Sequence, residues 1–201
     1  MKPVGMWLVM LWFCVGIAGL GFAEPGTPHS EPTGRDLTSI QALTSVGKDL
    51  VYAGSFGHGL FRSEDRGATW TSSGQGVTDP FILTLATGKD GAIYAGTFRG
   101  GVFRSRDGGK SWQALNNGLK HLEIKALLVA GDALYAGTSD GAYRLDMTHD
   151  RWSVVTTGLH NILVHALAIS SDGTLFAGTS GKGWRPENTT GSPPSPSSCS
   201  S

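Results

Sequence analysis

Short apolar runs separated by polar turns repeat along this chain at a nearly fixed interval. One run opens each unit: Ile40-Gln41-Ala42-Leu43, Ile82-Leu83-Thr84-Leu85-Ala86, Ile124-Lys125-Ala126-Leu127-Leu128-Val129 and Val164-His165-Ala166-Leu167-Ala168-Ile169. These runs are mostly continuous rather than alternating, which predicts strands buried on both faces. A turn follows each (Gly47-Lys48-Asp49, Lys89-Asp90-Gly91, Gly131-Asp132, Ser171-Asp172-Gly173). Asp-Gly between two β-type runs is a hairpin signal, because such turns need positive φ. The second run carries Tyr52, Tyr94, Tyr135 and, in the fourth place, Phe176, at spacings of 42, 41 and 41 residues. Its Ala-Gly pairs (Ala53-Gly54, Ala95-Gly96, Ala136-Gly137, Ala177-Gly178) leave room for a neighbouring sheet to approach closely. A third run, Leu60-Phe61-Arg62-Ser63 and its copies, and a fourth marked by Trp70, Trp112 and Trp152 complete the unit.

Four short strands per forty-odd residues make one blade of a β-propeller. The predicted fold class is therefore all-β: four-stranded antiparallel blades, three complete and a partial fourth. The repeats divide as 39–80, 81–122, 123–162 and a partial 163–188, followed by a Ser/Pro-rich tail, 189–201, expected to be disordered. Since closed propellers typically have about four to eight blades, the expectation is a truncated or frame-shifted relative of a longer propeller, or an arc that closes by self-association.

The turn between the third and fourth strands carries the most specific signal. Ser63-Glu64-Asp65-Arg66-Gly67-Ala68-Thr69-Trp70 and Ser105-Arg106-Asp107-Gly108-Gly109-Lys110-Ser111-Trp112 both fit S-x-D-x-G-x-(S/T)-W. The Asp is expected to accept backbone N–H groups one or two residues on. The Gly takes a positive φ, and the Trp covers the hairpin while its indole N–H seeks an acceptor. The motif resembles the Asp-box, or bacterial neuraminidase repeat, of sialidases, sortilin-like receptors, xyloglucan-cleaving glycosidases and photosystem II stability/assembly factor-like proteins. The blade text is most similar to the last group and to the xyloglucanase propellers, over Ser39 to about Gly178. The resemblance implies the fold and a structural role for Ser63, Asp65, Gly67, Trp70, Ser105, Asp107, Gly109, Trp112 and Trp152. The third unit, Leu145-Asp146-Met147-Thr148-His149-Asp150-Arg151-Trp152, keeps the Trp and loses the Asp and Gly places.

Residues 1–23 are of different material: Lys2, then a nearly continuous apolar stretch to Leu20, then Gly21-Phe22-Ala23. That is the pattern of a secretory signal peptide cut before Glu24, with an uncleaved anchor as the alternative. It places the domain in a secreted or periplasmic setting, with no membrane span after cleavage. Residues 24–38 read as a linker. Cleavage would remove Cys14 and leave Cys199 alone, so no internal disulfide is expected. Sixteen basic residues balance sixteen acidic ones, unlike the basic stripe of a nucleic-acid binder.

Candidate chemistry is sparse. Asp65 and Asp107 resemble a glycosidase carboxylate pair, but identical placement in successive repeats favours holding turns. Arg62, Arg104 and Arg144 recur with the same regularity, which favours a structural role at strand edges. His58, His121, His149, His160 and His165 show no metal-ligand spacing, and no metal or cofactor is expected. His165, inside an apolar run, reads as a satisfied core histidine. The positions at which the repeats differ are the better binding candidates. They fall on the face shared by the second-to-third turns and the inter-blade links: Phe56, His58, Phe98, Arg99, Asp140 and Lys182, with Asp79, Phe81, His121, Glu123, His160 and Asn161. The expectation is a non-catalytic exported module for protein or glycan binding or for assembly; the alternative is a sialidase-like or xyloglucanase-like hydrolase, intact or as an inactive fragment, and the family resemblance also implies an assembly factor for a membrane complex.

Overall fold

The computed structural model describes residues 37–155, 162–180 and 187–188. Every regular element among them is a strand. The first sheet holds β1 (Ile40–Val46), β2 (Leu50–Ser55), β3 (Gly59–Ser63) and β4 (Thr71–Ser72). The second holds β5 (Ile82–Thr87), β6 (Ile93–Thr97), β7 (Val102–Ser105) and β8 (Gln113–Ala114). The third holds β9 (Ile124–Ala130), β10 (Ala133–Thr138), β11 (Gly141–Asp146) and β12 (Arg151–Val154). The fourth has three described strands, β13 (Leu163–Ile169), β14 (Thr174–Ser180) and β15 (Glu187–Asn188). Within each sheet the order is sequential and antiparallel. The first strands β1, β5, β9 and β13 lie side by side in that order, so the sheets fan out from a common centre. This is a β-propeller arc of three four-stranded blades and a partial fourth.

One junction repeats three times. Ile82, Ile124 and Val164, each 0% exposed, stand at the start of a blade's first strand. They press on Gly54, Gly96 and Gly137 of the preceding blade. A Cβ at Gly96 would lie 2.6 Å from Ile124 Cγ2, and one at Gly137 2.8 Å from Val164 Cγ1. Glycine is required there by approach rather than by φ. At the outer edge the indole N–H of Trp112 donates to the carbonyl of Ser73, and that of Trp152 to Leu115 O at 2.6 Å. Their backbone N–H groups donate to Gln75 O (2.9 Å) and Asn117 O (2.8 Å). Three apolar clusters follow from this stacking, built around Tyr52/Ile82/Phe103/Trp112, Tyr94/Ile124/Leu134/Trp152 and Tyr135/Leu175.

The first strands differ from expectation: they are half-buried along much of their length instead of covered on both faces, and β1 alternates between half-buried and exposed. They line the centre, where no further layer covers them. Each also carries a bulge at the same register, one residue past its opening knob, at Gln41, Leu83, Lys125 and His165. An extra residue there is released from the ladder and re-aimed. His165 is accordingly not a core histidine. It is exposed, and its Nε2 meets the Ser180 hydroxyl.

Candidate functional site

The strands leave two rims with different chemistry. On one rim, Ser63 and Asp65 organise the first box turn. Asp65 accepts the Ser63 hydroxyl at 2.7 Å, the Thr69 N–H at 2.8 Å and the Thr69 hydroxyl at 2.6 Å. Gly67 N–H donates to Ser63 Oγ at 2.7 Å. The second box repeats this with Asp107 bound by Ser105 and by the N–H (3.0 Å) and hydroxyl (2.5 Å) of Ser111. The main backbone donor thus lies four residues on, not one or two. These bonds, the Thr69 hydroxyl first, hold Asp65 down at a pKa of about 2; the Ser111 hydroxyl heads the same effect at Asp107. Both carboxylates are consumed as acceptors in their own turns. Gly67 (φ 94°) and Gly109 (φ 80°) supply the left-handed backbone, and Gly109 also lies against the Tyr52 ring of the preceding blade.

The recurring arginines reach across junctions. Arg62 donates to Gly108 O at 2.8 Å, and Arg104 grips Asp150 bidentately at 2.7 and 2.9 Å. Arg144 is exposed. In the third blade Asp150 (φ 48°) lies in a shorter hairpin, where Asp146 accepts the Thr148 N–H and contacts His149 Nδ1. Met147 there meets the Tyr94 hydroxyl through its sulfur at 3.8 Å. The lost box motif is thus replaced by an ion pair and a hydroxyl–sulfur hydrogen bond to the preceding blade. A polar groove of about 460 Å³, lined by Arg62, Ser73, Gln75, Gly109 and Lys110 among others, also lies at the first junction.

The other rim collects aromatic rings. Phe56 lies 4.8 Å from Phe81 and 6.2 Å, edge-on, from Phe98 (centroid distances). The cations of Arg99 and Lys125 sit over the Phe98 ring at 5.1 and 5.6 Å. Glu123 pairs with Lys125 at 2.6 Å. Phe56 remains 42% exposed, so the cluster presents apolar surface as well as charge. Backbone bonds fix it: Phe98 N–H donates to Phe81 O, and Gly57 and Gly59 N–H both donate to Pro80 O. Beneath them Asp79, 7% exposed, accepts the N–H groups of Phe81, Arg99 and Gly100 at 3.1, 2.5 and 3.0 Å. Asp79 therefore holds the loop and is no contact residue.

Of the sequence candidates, the structure brings together Phe56, Phe81, Phe98, Arg99 and Glu123. It sets His121 and Asp140 aside as a separate pair at 3.7 Å, and leaves His58 exposed. Lys182, His160 and Asn161 lie outside the described residues. Lys125 joins the aromatic cluster although it stands in an apolar run expected to be buried on both faces. The bulge turns it out, and a lysine inside an apolar run was the available signal. Among the described residues no group of three or more His, Cys, Asp or Glu side chains could hold a metal ion, and no helix is long and apolar enough to cross a membrane.

No family model matches this sequence, and no curated protein matches it. Solved structures do resemble the fold. The extracellular domain of BT4673 from B. thetaiotaomicron matches 70% of this chain at 21% identity with a TM-score of 0.62. YCF48 bound to the D1 peptide matches 71% of it at 19% identity with a TM-score of 0.53, and YCF48 from Cyanidioschyzon merolae 77% at 14% with 0.52. This chain spans about 20% of the BT4673 structure, 48% of the peptide-bound YCF48 and 57% of the Cyanidioschyzon protein. The likeness is one of fold: a propeller, matched in part.

Proposed function

We propose that this chain is an exported, non-catalytic binding module whose aromatic rim takes a protein or glycan partner. The observation that carries this is the Phe56/Phe81/Phe98 cluster with Arg99 and Lys125 over one ring. Rings offer large contact area with little side-chain entropy to lose, and Arg99 adds a donor fork for an acidic group. The scaffold beneath is a stack of packed sheets, and its loops vary from blade to blade, which is where recognition usually sits. The exported setting follows from the N-terminal pattern. One structural neighbour is named as bound to a peptide and another as an extracellular domain, which supports the same direction.

The test is a screen of the full chain against peptide and glycan arrays, repeated with Phe56→Ala/Phe98→Ala and with Arg99→Ala. Loss of the captured ligand by both variants at an unchanged thermal midpoint supports the rim. Capture that survives both moves the site elsewhere. Turnover of a fluorogenic sialoside or of xyloglucan, abolished by Glu123→Gln or Asp140→Asn, would overturn the non-catalytic assignment.

A further inference from the structure

Each junction between blades is made by one knob and one notch, and the described chain carries one of each beyond those it uses. Ile40 opens β1 opposite Ser55, as Ile82 opens β5 opposite Thr97. Ile40 is only half-buried, whereas Ile82, Ile124 and Val164 are fully buried. Gly178 pairs with Ala166, as Gly96 pairs with Thr84. Gly54, Gly96 and Gly137 are buried under the next blade's knob, but Gly178 is exposed. Among the described residues, the nearest atoms to a Cβ at Gly178 belong to Ala166 of its own blade, at 3.4 Å and beyond. The spare knob thus lies on the outer face of the first blade, the spare notch on that of the fourth.

Two further side chains mark the first face as the same kind of surface. Leu43 is 64% exposed, while its counterpart Leu85 packs against the first blade's core. Trp70, in the first described blade, turns its indole N–H back onto Gly67 O of its own turn at 3.0 Å. Among the described residues β1 and β13 do not pack as β1 and β5 do.

We propose that a second copy of this chain closes the arc, the Ile40 knob of each copy seating in the Gly178 notch of the other. The contact continues an interface already built three times within the chain. It is heterologous, and two such contacts close a ring with a two-fold axis along its centre. Two copies of four sheets give eight blades, within the usual range. Both aromatic rims then face the same side.

The test is the native mass of the full chain by light scattering and native mass spectrometry at micromolar concentration. The expected value is twice the chain mass. Gly178→Val fits its own blade but fills the notch, and Ile40→Asp puts a charge on the knob. Each should lose the two-copy species while keeping the parent far-ultraviolet circular dichroism. An equimolar mixture of the two variants should regain a two-copy species through the single junction in which knob and notch are both intact. A single-copy mass for the parent chain overturns the proposal, as does a higher multiple or a Gly178→Val protein that remains two-copy. Should Ile40→Asp fail to fold, Gly178→Val and Leu43→Lys decide the question.

Discussion

Trp70 and Trp112 occupy the same place in the same motif one blade apart, yet they hold different things together. Trp112 is 4% exposed and its indole is hydrogen-bonded into the preceding blade; Trp70 is half-buried and bonded within its own turn. The same contrast separates Gly96 from Gly178. Identical sequence text therefore has two energetic meanings, set by whether a blade stands next to it. In a repeat array stability resides in the interfaces as well as in the units, and here the junction residues separate the two contributions.

The largest expected difference is at the notches, compared in dilute solution. Gly96→Val drives a side chain into Ile124 and should cost about 3 kcal/mol or more, seen as loss of a cooperative urea transition. Gly178→Val should change the unfolding free energy by no more than about 0.5 kcal/mol. Equal effects would show that Gly178 is covered as Gly96 is. Next, Trp112→Ala should cost about 3–5 kcal/mol and Trp70→Ala about 1 kcal/mol, read as a shift in thermal midpoint several-fold larger for the first. Smaller again is the arginine pair. Arg104→Ala removes a bidentate bond from a carboxylate left half-exposed and should cost about 1–2 kcal/mol, whereas Arg144→Ala should be nearly silent.

The smallest effect is the response to acid. Asp65, Asp107, Asp146 and Asp150 all have carboxyls held below the usual range by hydrogen bonds or by Arg104. A depressed folded pKa means that the unfolded chain binds more protons as pH falls, so stability is full above the unfolded value of about 4. It should decline as pH drops toward about 2, where Asp65 titrates in the folded state. A thermal midpoint followed from neutral to acid pH should stay level and then fall in that window. Asp65→Asn with Asp107→Asn should flatten the fall; a decline beginning near neutrality would point to histidine instead.

The four-strand unit and the Ala-Gly notches are legible because each is a local pattern repeated in register. What could not be read was anything set by one blade's position relative to another. The apolar first runs imply full burial, but their inner edges line an open centre, so half of each strand stays accessible. His165 and Lys125 both look interior in the sequence, and the bulge releases both. No composition rule marks a bulge when the residue after the knob can be Gln, Leu, Lys or His. The replacement of the third box by Arg104–Asp150 and Tyr94–Met147 was hidden for a related reason: its parts lie in different blades, 46 and 53 residues apart. At the candidate rim, the Phe and Arg positions stood out as departures from the repeat. Asp79 stood out equally and serves only to pin the loop.

The bulge has a consequence for substitution. Because it stands outside the ladder and one step from the knob, it gives every blade a position exempt from the stacking rules. Gln41, Leu83, Lys125 and His165 occupy it in turn around the centre. Substitution at these four positions of the arc therefore leaves the fit of each sheet on its neighbour, made by the knob and the notch, unchanged.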